Sequence, residues 1–442
     1  MAAEHHKYCQ VTECYPLKAL ATKQASVCSP KWVSFDPFCR CQSVAGHSLR
    51  YCDPTFAQWR DRPPLAILSE SSTLVFCNQM KASFVTPQEL DADCIRRWEQ
   101  LRTTNSIYAS PFYSPHFTLA VGRGRRDAQV AIFEQDGRIV GFLPFHRVRN
   151  RIAKLIGGHL NDYHGAILEP GLALADSGLL QAAGLDAYDF DHLPLQFGCG
   201  LQSADDSQAS PQMDLSAGYE DCIAAKGDSW KRGQRDMSRK LRKIEREIGP
   251  IHFEFSSESS DVFDIHVEMR NTLYRRMGLR MDYCIGWEGE VLRSLRNAGN
   301  PGFSSALSVF YAGSRPVAAH FGIISCGVLH WWFPAYDLAV QRYSPGLQLI
   351  DHCARQAAIE GISTIDFGKG EDRYKALFAD RNVPMLKGSA CRDGSFAARA
   401  RAGHAAMMSV AERVLPAAIN AYSRKSIERL WTGTTVPRRH SQ

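Results

Sequence analysis

No run of apolar residues in this 442-residue chain approaches the roughly 18 needed to cross a bilayer as a helix. The opening residues, MAAEHHKYCQ, lack the basic-then-apolar succession of a secretory leader. A cytoplasmic protein without membrane insertion is therefore expected. Paired C-x-x-C motifs are missing too. The 14 cysteines are spread through a long chain without an export signal, which speaks against a disulfide framework and for reduced thiols. Cys39, Cys41, His47 and Cys52 come nearest to a metal set, but their spacing matches no zinc pattern, so no metal is expected. A strong charge bias is also lacking, with 52 Lys/Arg against 46 Asp/Glu. Hydrophobic residues at 45% and charged residues at 22% are ordinary globular values, which excludes a wholly disordered chain.

What is present divides the chain. Its length exceeds what one core usually supports and predicts two folded units with attachments. Residues 1–79 hold seven of the cysteines and show no sustained period, so they read as a poorly structured extension or as sequence ahead of a true start at Met80. From Met80 a strand-like start leads to a helix with Leu90, Cys94, Ile95, Trp98 and Leu101 on one face. Residues 80–215 are taken as an N-terminal half. Residues 216–250 form a linking helix in which Trp230, Met237, Leu241, Ile244 and Ile248 make one apolar seam. Its remaining faces are basic, with nine Lys/Arg against four Asp/Glu between Lys226 and Glu247. That strip suits an anionic partner or is simply a solvated face. Residues 251–395 form a C-terminal half, and 396–442 read as C-terminal helices and a tail.

Two stretches repeat one layout. AQVAIFEQDGRIVGFLPFHRV from Ala128 and ALSVFYAGSRPVAAHFGII from Ala306 are both hairpins, and an offset of 177 brings Phe133, Arg138 and Val140 onto Phe310, Arg315 and Val317. An internal duplication is the economical explanation.

The segment from about Ser305 to Gly388 reads as strand, strand, strand, helix, strand. The predicted helix runs from Gly346 to Glu360, stopped by Gly361, and the strand ISTIDF follows as a βαβ crossover. The entry Tyr343-Ser344-Pro345-Gly346 leaves amides unpaired at the helix start, which fits an anion site or a plain helix start.

Here the chain resembles a known family. Ala335-Tyr336-Asp337, then Tyr343-Ser344-Pro345-Gly346, Asp366-Phe367-Gly368-Lys369-Gly370 and Tyr374-Lys375 are similar, in this order, to motifs of the cellulose-biosynthesis acetyltransferases (CelD/BcsL type) of the GNAT superfamily. The resemblance runs loosely from about Phe84 to Gly388. It implies an α/β (α+β) tandem GNAT-like fold with two mixed central sheets flanked by helices, related to the Fem-type transferases that use aminoacyl-tRNA. It implies acetyl-CoA or another acyl-CoA as co-substrate and a small-molecule or saccharide acceptor in cellulose or exopolysaccharide synthesis. One departure stands out: the GNAT phosphate loop is Arg/Gln-x-x-Gly-x-Gly/Ala, and this chain has Arg342-x-x-x-Gly346-x-Gln348.

Acyl transfer needs a deprotonated nucleophile, donors for the oxyanion and a proton for the leaving thiolate. The resemblance puts Tyr343, Ser344, Pro345, Gly346, Leu347 and Gln348 at the cofactor. Lys375 is the candidate oxyanion or phosphate partner, with a surface lysine as the plain reading. His320, opposite Phe321 on its strand, is a base or a satisfied buried histidine. Asp337 is an acceptor-side carboxylate or a loop cap, and Tyr336 a proton donor. Trp332, Asp366, Gly368, Gly370, Tyr374 and Arg280 are candidate substrate contacts. Trp331 and Trp332 face opposite ways, one toward the core. Arg276 and Arg280 lie in MRNTLYRRMGLRMDY, an acceptor loop or a helix surface. Two other functions remain open: a Fem-like aminoacyl-tRNA-dependent transferase, to which the basic helix points while the lack of a long coiled-coil arm does not, and a catalytically silent sugar-nucleotide-binding or regulatory protein.

Overall fold

The computed structural model describes residues 80–403 except 149–150, 173–176, 196–203, 280–282, 298, 301 and 371. All of these lie in one compact unit, Val75–Gln442. The expectations for residues 1–79, for Arg280 and for residues beyond 403 fall outside the described residues. Among the described residues, no helix is long and apolar enough to cross a membrane.

The first run of elements is β1 (Lys81–Val85), α1 (Ala92–Thr103), α2 (Pro115–Gly124), β2 (Ala128–Gln135), β3 (Arg138–Arg147), β4 (Ile152–Leu155), β5 (Ile167–Leu168), α3 (Ser177–Ala182), β6 (Ala187–Pro194) and β7 (Ala204–Asp214). α1 starts where the Asp91 side chain accepts from the Cys94 amide at 2.7 Å, satisfying one of the unpaired donors of the first turn, and it buries Trp98 and Leu101. Next come α4 (Tyr219–Ala224) and α5 (Asp228–Glu247). The seam of α5 buries Trp230, Met237 and Ile244, with Leu241 and Ile248 packed beside them. The second run is β8 (Ile251–Glu254), α6 (Ser260–Arg276), α7 (Gly286–Arg296), β9 (Phe303–Ala312), β10 (Arg315–Ser325), β11 (Val328–Tyr336), α8 (Pro345–Ile359), β12 (Thr364–Asp366), α9 (Arg373–Phe378) and β13 (Arg381–Cys391).

The two hairpins match in detail. In β2–β3, Phe133 pairs with Gly141 and Glu134 with Ile139, so Val140 is an extra residue. In β9–β10, Phe310 pairs with Ala318 and Tyr311 with Pro316, so Val317 is the extra one. Both bulges fall at positions related by the offset of 177, so the duplication extends to an irregularity that alternation alone does not predict.

The two sheets expected from the sequence are joined into one mixed sheet of 13 strands in the order β1-β2-β3-β4-β6-β13-β7-β12-β11-β10-β9-β8, with β5 beside β3. The join is an exchange. β13, the last strand of the second run, pairs with β6 of the first, and β7, the last strand of the first run, pairs with β12 of the second. On one sheet face a single core spans both runs, holding Trp98, Phe117, Leu292 and Phe321 among others. On the other face there are two separate cores, one beneath α5 and α8 and one beneath α3.

Candidate active site

β11 and β12 are parallel and pair only from Val328↔Thr364 to His330↔Asp366. Beyond that point β11 continues to Tyr336, while the chain after β12 swings toward β7, the Phe367 amide donating to the Pro211 carbonyl at 2.9 Å. The strands therefore part. A bulge in β11 adds to the divergence, because Trp331 and Trp332 together oppose the single residue Gly322 of β10. Crevices at the carboxyl ends of parallel strands are common ligand sites.

α8 begins at this opening. Ser344 takes the left-handed conformation (φ +54) and Pro345 fills the first helical position. The Ser344 carbonyl accepts from the Leu347 and Gln348 amides at 3.0 and 3.3 Å, and the Gly346 amide has no hydrogen-bond partner among the described residues. A Cβ on Gly346 would meet only Tyr336 Cδ1, at 3.6 Å, so the helix start lies beside the end of β11 with space around it. α5 holds this turn. Lys240 Nζ donates to Ser344 Oγ at 2.9 Å, the Gln348 side chain donates to the Met237 carbonyl at 2.8 Å, and the Tyr343 hydroxyl binds Glu247. α5 carries eight Lys/Arg against four Asp/Glu, so the positive end of α8 lies against a cationic helix.

The two runs meet at the parting point. Asp366 is fully buried and accepts from Ser210 Oγ at 2.8 Å, Gln212 Nε2 at 2.6 Å, the Gly368 amide at 2.8 Å and the Tyr163 hydroxyl. With its oxygens engaged by the protein, it braces the turn. His330, also fully buried, places Nε2 3.1 Å from Asp162 and Nδ1 3.6 Å from Asp366. Burial raises the Asp162 carboxyl, but the hydrogen bond and charge of His330 and the charges of Lys369 and His192 outweigh it, so the group is held well below the usual carboxylate range. A Cβ on Gly368 (φ +64) would lie 2.3 Å from Asp162 Oδ2, which requires glycine there.

The remaining residues singled out from the sequence occupy varied positions. Lys375 is buried and donates to the carbonyls of Gly368 and Lys369, with Asp372 at 3.7 Å. Burial pushes its ammonium pKa down, against the pull of Asp372, Asp162 and Asp366. Gly370 (φ +98) belongs to the same turn. Tyr374 packs edge-on against Phe367. His320 is fully buried, stacks on Trp331 with ring centres 3.7 Å apart and accepts from the Trp332 amide at 3.2 Å. Burial, reinforced by His266 and His330, lowers its pKa well below the ordinary value and keeps it neutral. Asp337 accepts from the Ala339 amide at 2.8 Å and pairs with Arg315. Trp331 and Trp332 lie in the cores of opposite faces, and both are buried. Arg276 donates to Gln341 at 2.6 Å. Asp162, Tyr163, Ser210, Gln212 and Arg270 were not singled out, although the polar run Asn161-Asp162-Tyr163-His164 and the His266–Arg270 spacing of four on α6 are visible signals. Among the described residues no group of three or more His, Cys, Asp or Glu is placed to hold a metal.

Residues 231–376, from α5 to α9, match the family model described as an acetyltransferase (GNAT) domain. The matched stretch, about a third of the chain, contains the parted strands and the α8 entry. Among solved structures, similar folds include the C-terminal domain of a protein described as a lysylphosphatidylglycerol synthetase of Agrobacterium fabrum (14% identity, 70% of this chain and 94% of that one, TM-score 0.45). FemX is another (10% identity, 70% and 97%, TM-score 0.45), as is a tandem GNAT protein of the clavulanic acid pathway (10% identity, 72% and 99%, TM-score 0.39). No curated protein matches the chain in sequence.

Proposed function

We propose that this protein is an acyltransferase that moves an acyl group, acetyl in the first instance, from coenzyme A to an amine or hydroxyl of a saccharide precursor or another cell-envelope metabolite. Cellulose or exopolysaccharide synthesis is the setting implied by the resemblance to the CelD/BcsL-type enzymes. The observation that carries the reading is the opening between β11 and β12 with the Gly346 amide, unpartnered among the described residues, at its mouth. Amides at a helix start bind phosphate oxygens, and Lys240 and Lys243 lie close behind Ser344 and Tyr343. A phosphate-tethered thioester held there extends its carbonyl between the strands. In this reading Tyr336, whose ring lies beside Gly346, supplies the proton taken by the leaving thiolate. Asp366, Lys375 and Gly370 hold the far wall in shape, and His320 props Trp331 beneath the crevice.

A second reading, transfer from aminoacyl-tRNA, draws on the surface groove of α5 lined by Gln234, Arg235, Ser238, Arg239 and Arg242, a cationic track of the kind that follows a phosphate backbone. Thermal denaturation of the full chain with each donor separates the two. Acetyl-CoA at about 100 times its dissociation constant is expected to stabilise the protein by about 2.7 kcal/mol. Stabilisation by aminoacyl-tRNA and none by acetyl-CoA would exchange the two readings.

A further inference from the structure

α6 runs along β11 toward the end where the strands part. His266 Nε2 lies 2.8 Å from the Phe333 carbonyl, and one turn later Arg270 Nη1 donates to the Pro334 carbonyl at 2.6 Å. The Arg270 guanidinium lies 4.7 Å from the Tyr274 ring centre and 5.7 Å from that of Phe333. It is half-buried, yet no carboxylate among the described residues pairs with it, and its Nε is buried with no hydrogen-bond partner. The Tyr283 hydroxyl and His266 Nδ1, with rings 5.4 Å apart, are likewise buried and unpartnered. On the same helix Arg275 is paired with Glu268, and Arg276 hydrogen-bonds Gln341. A partly buried cation without a counter-charge is costly, and stacking on aromatic rings offsets only a fraction.

Arg270 and the α8 entry lie on opposite faces of the sheet, since Phe333 and Tyr274 belong to the core beneath α6 while Tyr343 and Leu349 belong to the core beneath α8. A donor entering at α8 therefore leaves the α6 face for the acceptor. Pro334, to whose carbonyl Arg270 donates, lies beyond His330, the last residue of β11 paired with β12, so the guanidinium sits alongside the stretch of β11 that has parted from β12.

We infer that Arg270 is the receptor for an anionic group on the acceptor, a phosphate or a carboxylate, making this an enzyme of acidic rather than neutral acceptors. The inference rests on the acyltransferase reading for the word acceptor. The anion site itself does not depend on it. A guanidinium fork binds either anion through two parallel hydrogen bonds, and Tyr283, whose hydroxyl is unpartnered, packs on the same Phe333 ring with centres 4.9 Å apart.

The test is calorimetric titration of the full chain, saturated with coenzyme A, with glucosamine, glucosamine 6-phosphate and glucuronate. At least one acidic sugar is expected to bind about tenfold or more tightly than glucosamine. Arg270→Ala should abolish that preference and leave coenzyme A affinity unchanged, while Arg270→Lys should keep part of it. The phosphate and carboxylate arms tell the two anions apart. Equal binding of the acidic sugars and glucosamine by the wild type, or a preference that survives in Arg270→Ala, overturns the inference. If coenzyme A fails to bind, the titrations are run without it, and an Arg270-dependent preference then upholds the anion site while the donor reading falls. Arg270→Gln replaces the alanine variant if the latter does not fold.

Discussion

Asp162 shows how much one side chain outside the recognised motifs can decide. It joins His330 and Lys369, which come from the second run of elements, to a loop of the first. Removing one member of a buried pair leaves the other charge or donor unsatisfied, so Asp162→Asn is expected to destabilise the protein by about 3 kcal/mol in urea titrations. The pH dependence has a definite sign. The folded carboxyl is held below its unfolded value of about 3.9, so its contribution is complete above about pH 4 and is lost as acid protonates the folded carboxylate. The urea midpoint of the wild type should fall more steeply than that of Asp162→Asn below pH 4, and parallel curves would contradict the pairing. Local sequence could not reveal this link, because His330 lies 168 positions away and only the sheet brings the two together.

α8 was the most legible element of the candidate site. Its apolar face, Pro at the first position and Gly361 beyond its end are all local signals, and the observed Pro345–Ile359 lies within one residue of the predicted Gly346–Glu360. What periodicity could not supply is the direction its first turn faces. The open space at Gly346 gives a test that separates binding from stability. In Gly346→Asp the added Cβ comes only into ordinary contact with Tyr336, so the fold should survive, while a carboxylate at the helix mouth repels donor phosphates. Acetyl-CoA affinity is expected to fall about tenfold or more with little change in melting temperature. Unchanged affinity would remove the phosphate role of this turn. α6 teaches the converse: the sequence drew notice to Arg276 and Arg280, whereas Arg270, one helical turn beyond His266, is the cation that reaches β11.

The exchange of β7 and β13 governs the molecule as a whole. Each run of elements completes its sheet with the other's last strand, so residues 80–217 expressed alone would leave β6 without β13 and β7 without its neighbours. Exposed strand edges of this kind drive aggregation. Residues 80–217 and 218–403 made separately are expected to be insoluble or to lack fixed tertiary structure, and to regain a cooperative unfolding transition when co-expressed. A folded, monomeric first piece would refute the interdependence.

Elements of short range were written in the order of residues: the two hairpins, the amphipathic α5, α1 and α8, and the motif residues around Asp366. Each depends on contacts within a few positions, where side-chain pattern and backbone preference act directly. The closure of two sheets into one, the saturation of Asp366 by Tyr163, Ser210 and Gln212, and the buried, unpartnered Nε of Arg270 emerged only from the folded molecule. These arise where segments more than 60 and up to about 200 positions apart are brought together, and hydrophobic burial, which drives that assembly, is non-directional. It commits the chain to a core without naming which polar groups will meet there.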